Sequence, residues 1–330
     1  MEIVIGLLLS SLSLYCDFTD AECLVISPAR LVVKYGDPAS SNCSSDTPVQ
    51  MGWEATQGGM GLTDKEVKSL NWSVDSVTDW NIKPTCFTEG GQCKKQLDIT
   101  VYKLSDSVSM TGPSGPMVEG KEYEFKCLIQ KVAPGNSLNV AFYKASAIGR
   151  KTKTLLYAPD VPRQTTKEPI SGEYPLLWSP SRGDDGAQLW CSALLGLGEL
   201  GPQPNPELES EPFNLTVHYK PQITMSPGCF SKNITEGDTL SLACSAKGNP
   251  APSYDWLHPQ SAPAPNTTEE RSVVTITNIA KSDSGEYTCI ARNPLGHSTC
   301  TVNVEVTGAS CQAAGSAMVA VLLLQLIHWL

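Results

Sequence analysis

Cysteine is the residue in this chain best placed to do chemistry, and its spacing says which chemistry that is. Twelve cysteines among 330 residues fall at wide, paired intervals, as in a framework oxidised in the secretory route rather than kept reduced in the cytosol. Three long intervals, Cys43 to Cys86, Cys127 to Cys191 and Cys244 to Cys289, each suit a bond joining two facing strands across a β-sandwich. In the last unit Cys229 precedes the first strand of its pair and Cys300 follows the second, so the terminal strands invite an additional bridge. In the first unit Cys23 and Cys93 remain, and they would again tie the first strand to the last. Setting aside Cys16 and Cys311 in the terminal segments leaves ten of the twelve cysteines, which close as five bridges.

Little else is arranged for catalysis. Between the two terminal segments the histidines are His218, His258 and His297, and none stands with a nucleophile or at metal-ligand spacing. With the cysteines in bridges no thiolate nucleophile is left, and Asp184 and Asp185 suit a turn before a strand. We therefore expect no enzyme, no small-molecule substrate, and no cofactor or metal held by the chain. Asn42, Asn71, Asn214, Asn233 and Asn266 each begin an Asn-X-Ser/Thr sequon and are N-glycan acceptors in the secretory lumen. Asn42, beside the half-buried Cys43, is the one expected to stay unmodified.

The elements that must position these residues are short alternating apolar and polar segments broken by Gly, Pro, Asn and Ser, which predicts an all-β chain. In the third unit the run Asp283, Ser284, Gly285, Glu286, Tyr287, Thr288, Cys289 places a tyrosine two residues before the second cysteine of the pair. That is the tyrosine corner of an immunoglobulin-like sandwich, and Trp256 is suited to pack on the disulfide from strand C. In the first unit Val49, Met51 and Trp53 alternate with Gln50, Gly52 and Glu54, so Trp53 faces the core and Glu54 faces out. Extended crossings near Tyr102 and Lys103, and at Tyr219, Lys220 and Pro221, divide three tandem immunoglobulin-like β-sandwiches at 22–103, 104–219 and 220–307.

The two ends predict the route and the destination. Residues 3–14 are an apolar run of signal-peptide length, with cleavage expected after Ala21 or after Cys16. Residues 317–330 are apolar with no Lys or Arg after them, and Gly308, Ala309 and Ser310 are small. This matches a glycosylphosphatidylinositol (GPI) attachment signal at 308–330 with Gly308 as the attachment point; a short tail-anchored helix is the alternative. The formal net charge of -10 argues against nucleic-acid or anionic-lipid partners, which need clustered Lys and Arg. The small basic groups at Lys94 and Lys95 and at Arg150, Lys151 and Lys153 read as solvated faces.

Against this background the first two units resemble the intercellular adhesion molecules, the immunoglobulin-superfamily ligands of leukocyte-type integrins. Gly52, Trp53, Glu54, Ala55 is similar to that family's Gly, apolar, Glu, Thr at the end of strand C. The stretch from Cys86 through Cys93 to Leu97, Thr100, Val101 and Tyr102 resembles its closing strand. In the second unit Asp184, Asp185, Gly186, Ala187, Gln188, Leu189, Trp190, Cys191 follows the family's Asp, any, Gly, Ala, any, apolar, any, Cys. The resemblance implies a cell-surface adhesion ligand, lipid-anchored on the outer face of the plasma membrane, whose integrin partner sits on an opposing cell. It further implies that the Glu54 carboxylate completes a Mg²⁺ site held by the integrin, since that ion prefers hard oxygen ligands. A recognition or homophilic adhesion receptor that does not use integrins is the other reading of the same fold.

Overall fold

The computed structural model describes residues 23–146, 153–224, 229, 231–260, 266–267 and 272–308. The expected signal segment, the residues after Gly308, and Arg150 and Lys151 lie outside them. Among the described residues all regular structure is β-strand apart from short 3-10 turns, as the frequent Gly and Pro and the period-2 alternation require.

The first sandwich contains β1 (Val25–Ser27), β2 (Arg30–Lys34), β3 (Ala39–Val49), β4 (Met51–Glu54), β5 (Val67–Val74), β6 (Thr85–Thr88), β7 (Lys94–Gln96) and β8 (Asp98–Tyr102). One sheet has the order β1-β3-β5; the facing layer carries β4-β6-β7, with β8 paired in parallel to β2. Along β3 the side chains of Ala39, Ser41 and Cys43 are buried while Ser40, Asn42 and Ser44 face out, because successive strand residues point to opposite faces. Cys43 bonds to Cys86 across the layers at a Cα separation of 6.4 Å. Trp53, Trp72, Met51, Ile82 and Leu97 close around that bond.

The second sandwich follows with β9 (Ser107–Thr111), β10 (Met117–Val118), β11 (Tyr123–Val132), β12 (Leu138–Ala145), β13 (Thr154–Tyr157), β14 (Ile170–Trp178), β15 (Gln188–Leu195), β16 (Glu207–Glu209), β17 (Phe213–Asn214) and β18 (Val217–Ile223). Its sheets are β14-β11-β9 and β13-β12-β15-β16, with β17 also on β15, and Cys127 bonds to Cys191 between them. The core is separate from that of the first unit and centres on Phe125, Phe142, Ile129 and Leu189. Where the two units meet, Lys103 and Ala133 exchange backbone hydrogen bonds of 2.9 and 3.1 Å.

The third sandwich contains β19 (Lys232–Thr235), β20 (Leu240–Ala243), β21 (Ala246–Asn249), β22 (Ser253–Leu257), β23 (Asn266–Thr267), β24 (Val273–Ile276), β25 (Gly285–Asn293) and β26 (Gly296–Thr307). The sheets are β19-β26-β25-β22 and β20-β24-β23. Cys244 bonds to Cys289 and Cys229 to Cys300. The Tyr287 hydroxyl donates to the Asp283 carbonyl oxygen at 2.8 Å, so the tyrosine corner forms. Trp256 stands directly opposite Cys289 on the neighbouring strand and is half-buried against the core.

Three features go beyond the sequence reading. The expected boundary at 219/220 falls inside one strand: β18 pairs with β10 through Val217 and His218, then with β21 from Tyr219 to Ile223. A strand shared by two sandwiches leaves no free linker between them. The bridge from Cys23 reaches Cys93 in the turn between β6 and β7 rather than on the closing strand. Lys153, read from sequence as solvated, is exposed; it also pairs with Glu207 and Glu209 and lies 3.9 Å from the Tyr143 ring centroid.

Candidate functional site

Strand β4 ends on Glu54, and packing sets each residue before it. Met51 and Trp53 point into the core, where Trp53 is 1% exposed, and its indole N–H donates to the Leu70 carbonyl oxygen at 3.1 Å. The Trp53 and Trp72 rings lie 6.2 Å apart. Gly52, on the outward side, is nonetheless buried, because the Phe87 ring and the chain at Met60 cross over it. A Cβ there would fall 2.7 Å from Phe87 and 2.9 Å from the Met60 carbonyl oxygen. Only glycine lets these groups come so close.

After Glu54 the chain makes a tight return. Trp53 and Met60 exchange backbone hydrogen bonds of 2.9 and 2.7 Å, so residues 55–59 form a closed loop at the end of the strand. Gln57 holds that loop. Its side-chain oxygen accepts from the backbone N–H groups of Thr78 and Asp79, its amide donates to the Thr78 hydroxyl, and its carbonyl accepts from the Trp72 indole. Thr56 bonds to Asp79 beside it. Gly58 takes a φ of +69°, and a side chain there would meet the Ser73 carbonyl oxygen at 2.7 Å. The tightness of the loop follows from these contacts and fixes the backbone that presents Glu54.

The Glu54 side chain itself stands in solvent opposite Thr85 of β6. Among the described residues no hydrogen bond or ion pair engages its carboxylate. Around it lies a shallow cleft of about 430 Å³ formed by Met60, Phe87, Lys94 and the glycines of the neighbouring turns, with Met60 37% exposed. A free anionic oxygen ligand is thereby combined with an apolar shoulder on a rigid edge, an arrangement that suits contact with a cation on another molecule. Among the described residues no group of three His, Cys, Asp or Glu side chains is placed to hold a metal ion within the chain.

Asp184, expected in a turn before a strand, is a carboxylate unavailable for such a contact. Arg182, Gly183 and Asp184 form a 3-10 turn, and the Arg182 and Asp184 side chains are both engaged internally. Asp184 is 5% exposed; it accepts from the Ser181 backbone and hydroxyl and pairs with Lys144. Burial alone would raise the Asp184 carboxyl, but the Lys144 ammonium and the Ser181 bonds outweigh it and hold the group below its ordinary range. Arg182 forks onto Glu119 with two bonds of 2.8 Å, donates to Gln222 and lies over the Tyr219 ring. The Arg182 guanidinium holds the Glu119 carboxyl low. Asp185 accepts from the Val217 amide and from Asn249. The two aspartates thus build the turn before β15 and the junction beyond it.

Of the sequon asparagines, Asn71, Asn214, Asn233 and Asn266 are exposed and Asn42 is half-buried. Cys43, read as half-buried, is fully buried. Gly308 is exposed at the end of the third sandwich. His218 and His297 lie in β18 and β26, and His258 follows β22. The roles of Gly52, Gln57, Gly58 and Met60 had not been read from the sequence. The local signal was the cluster of three glycines within eight residues after Trp53, which marks a chain folding back on itself.

Residues 220–293 match the family model described as "Immunoglobulin domain". The chain is similar to vascular cell adhesion protein 1 of Canis lupus familiaris, 27% identical over 262 residues, covering 72% of this chain and 34% of that protein. It is similar to neural cell adhesion molecule L1 of Mus musculus, 32% identical over 108 residues, covering 31% of this chain and 8% of that protein. The chain therefore spans about a third or less of the length of these relatives. Among solved structures it resembles the three-domain ectodomain of mouse nectin-like molecule 4, with a TM-score of 0.51 and 20% identity over 85% of this chain and 98% of that one. The fold is all-β, a series of immunoglobulin-like domains.

Proposed function

We propose that this protein is a cell-surface adhesion glycoprotein that acts as a ligand for leukocyte-type integrins, with the Glu54 carboxylate completing a Mg²⁺ site held by the integrin on an opposing cell. The observation that carries this reading is the pairing of an exposed, unengaged carboxylate with a rigid support. Glu54 follows directly on the buried Trp53, and the loop after it is closed by Gln57. The backbone that presents this carboxylate is already ordered, so coordination of an ion costs chiefly the rotamer freedom of the Glu54 side chain. The matching residues of the intercellular adhesion molecules, and similarity to proteins named for adhesion, support the same reading. The Mg²⁺ belongs to the partner. In this account the chain is exported by residues 1–21 and tethered by a glycolipid at Gly308.

Adhesion of integrin-bearing cells to the purified ectodomain tests the mechanism. Binding should require Mg²⁺, vanish in EDTA, and be lost in Glu54→Gln while the melting temperature stays unchanged. Adhesion that survives chelation would remove the integrin mechanism. Loss on chelation with full binding by Glu54→Gln would move the contact to another acid. Release of the protein from expressing cells by a phosphatidylinositol-specific phospholipase tests the anchor; retention favours a tail helix.

One observation favours the integrin-independent reading. Leu155, Tyr157 and Leu177 are exposed at 58%, 46% and 62% on the flank of the second sandwich, and apolar exposure of this kind marks protein contact surfaces. Leu155→Lys with Leu177→Lys should leave Mg²⁺-dependent adhesion intact if Glu54 carries it.

A further inference from the structure

Two of the sequon asparagines, 29 positions apart in the chain, are immediate neighbours in space. Strands β3 and β5 pair so that Asn42 lies directly opposite Asn71, with Ser40 opposite Ser73 and Ser44 opposite Ser69. Directly opposed residues of an antiparallel pair project from the same face with their Cβ atoms about 4.5–5.5 Å apart. In each sequon the middle residue, Cys43 or Trp72, is fully buried. The asparagine and the serine two residues on must therefore share the outer face. That face is small and uncharged, and polar apart from Val25. Across β1, β3 and β5 it consists of Val25 and Ser27, then Ser40, Asn42 and Ser44, then Ser69, Asn71 and Ser73.

The two asparagines are not equivalent. Asn42 sits on the central strand of the three, with Ser27 on one side and Asn71 on the other, and is half-buried. Asn71 is exposed on an outer strand of the sheet, with β3 as its neighbour. A branched glycan rooted at Asn71 would occupy the space above Asn42, and a second one rooted a single Cβ spacing away would need the same volume.

We infer that Asn42 and Asn71 form one glycan site rather than two, occupied at Asn71, and that this glycan covers the β1-β3-β5 face of the first sandwich. Glycan transfer precedes folding, so exclusion acts as a selection. A chain modified at both positions is hindered in pairing β3 with β5 and is not exported. The opposite layer, where Glu54 stands on β4, stays bare, so the glycan sets which face of the domain a partner can approach. The inference rests on the proposed export of the chain but not on the integrin mechanism.

The test is a glycan count on the full chain carrying N214Q, N233Q and N266Q, expressed on cells and digested stepwise with an endoglycosidase, with glycopeptide mass spectrometry to place the sugar. One glycan is expected, on Asn71, and the count should stay at one in N42Q. Adding N71Q should raise occupancy of Asn42 on exported chains severalfold, because a chain modified at Asn42 is then no longer modified at both positions and is not held back. Two glycans on one exported chain overturn the inference, as does a glycan on Asn42 with Asn71 bare, or no glycan on either. If N71Q leaves Asn42 bare, exclusion by the neighbour is overturned. If the unsubstituted chain carries no N-glycan at any of its sequons, the export reading fails as well, which separates the two failures.

Discussion

The indole N–H of Trp53 donates to the carbonyl oxygen of Leu70 at 3.1 Å, so the residue just before Glu54 is pinned from one layer of the sandwich to the other. Trp53→Phe keeps most of the packing but strands that carbonyl, at a cost of about 1–2 kcal/mol. Trp53→Ala also opens a cavity and costs about 3–5 kcal/mol. Thermal melting of the two variants should rank them in that order, and cell adhesion should weaken in step with Trp53→Ala even though Glu54 is untouched. Equal melting temperatures would show that the tryptophan is not the support described.

Gly52 makes a sharper probe, because the intruding Cβ meets the backbone at Met60 as well as the Phe87 ring. Gly52→Ala should cost about 1–3 kcal/mol as an overpacked site and push the return strand away from β4. Adhesion should fall more than stability. A variant that loses stability but binds normally would place the contact away from this edge.

Gln57→Ala removes the bonds that hold residues 55–59 to Thr78 and Asp79. The expected result is faster hydrogen exchange at the Thr78 and Asp79 amides, with a loss of about 1–3 kcal/mol. Unchanged exchange at those amides would mean the loop is held by its glycines and Thr56 alone.

At the junction of the second and third sandwiches Arg182 contacts Glu119 on one side and Gln222 and Tyr219 on the other, while Asn249 donates to Asp185 and to the Val217 carbonyl oxygen. Arg182→Ala with Asn249→Ala should widen the distribution of interdomain angles in small-angle scattering while each sandwich keeps its own core. An unchanged scattering profile would leave the continuous strand β18 as the sufficient restraint.

Acid should act first on the second sandwich. The Asp184 carboxyl is held low by Lys144 and Ser181 against the opposing effect of burial, and the Glu119 carboxyl is held low by Arg182. A carboxyl whose folded pKa lies below its unfolded value, about 3.9 for Asp and 4.3 for Glu, stabilises fully above that value. The contribution is lost as pH falls through the folded pKa. Stability should therefore be flat from neutral pH to about pH 5 and decline below about pH 4. Asp184→Asn should flatten the decline and lower stability at neutral pH by roughly 3 kcal/mol, as for a broken buried pair. A decline of the same steepness in Asp184→Asn would assign the acid sensitivity to other groups.

The alternation around Trp53 is a local property with period 2, so inward Trp53 and outward Glu54 followed from the order of residues alone. The tyrosine two positions before Cys289 announced its corner for the same reason, since its hydroxyl reaches a carbonyl four residues away. Other features are contacts between distant segments. Nothing near Gly52 in the chain announces that Phe87 will lie over it, and nothing near Gln57 names Thr78 and Asp79. The extended crossing expected at Tyr219, Lys220 and Pro221 lies within β18, but that two sandwiches share the strand was not legible, because an extended strand looks the same whether one sandwich uses it or two.

The sequence by itself determined that the chain is all-β, which strand residues turn inward, and where its sequons and acids lie along the strands, because each of these depends on neighbours a few residues away. Tertiary structure alone decided which acid is free and which asparagines meet. Glu54 and Asp184 both sit in recognisable motifs, yet one stands in solvent and the other is enclosed by Lys144 and Ser181. Asn42 faces Asn71 only through the register between β3 and β5. Register and enclosure are set when separate segments pack against one another, and a one-residue slip would have turned Asn42 or Asn71 to the other face.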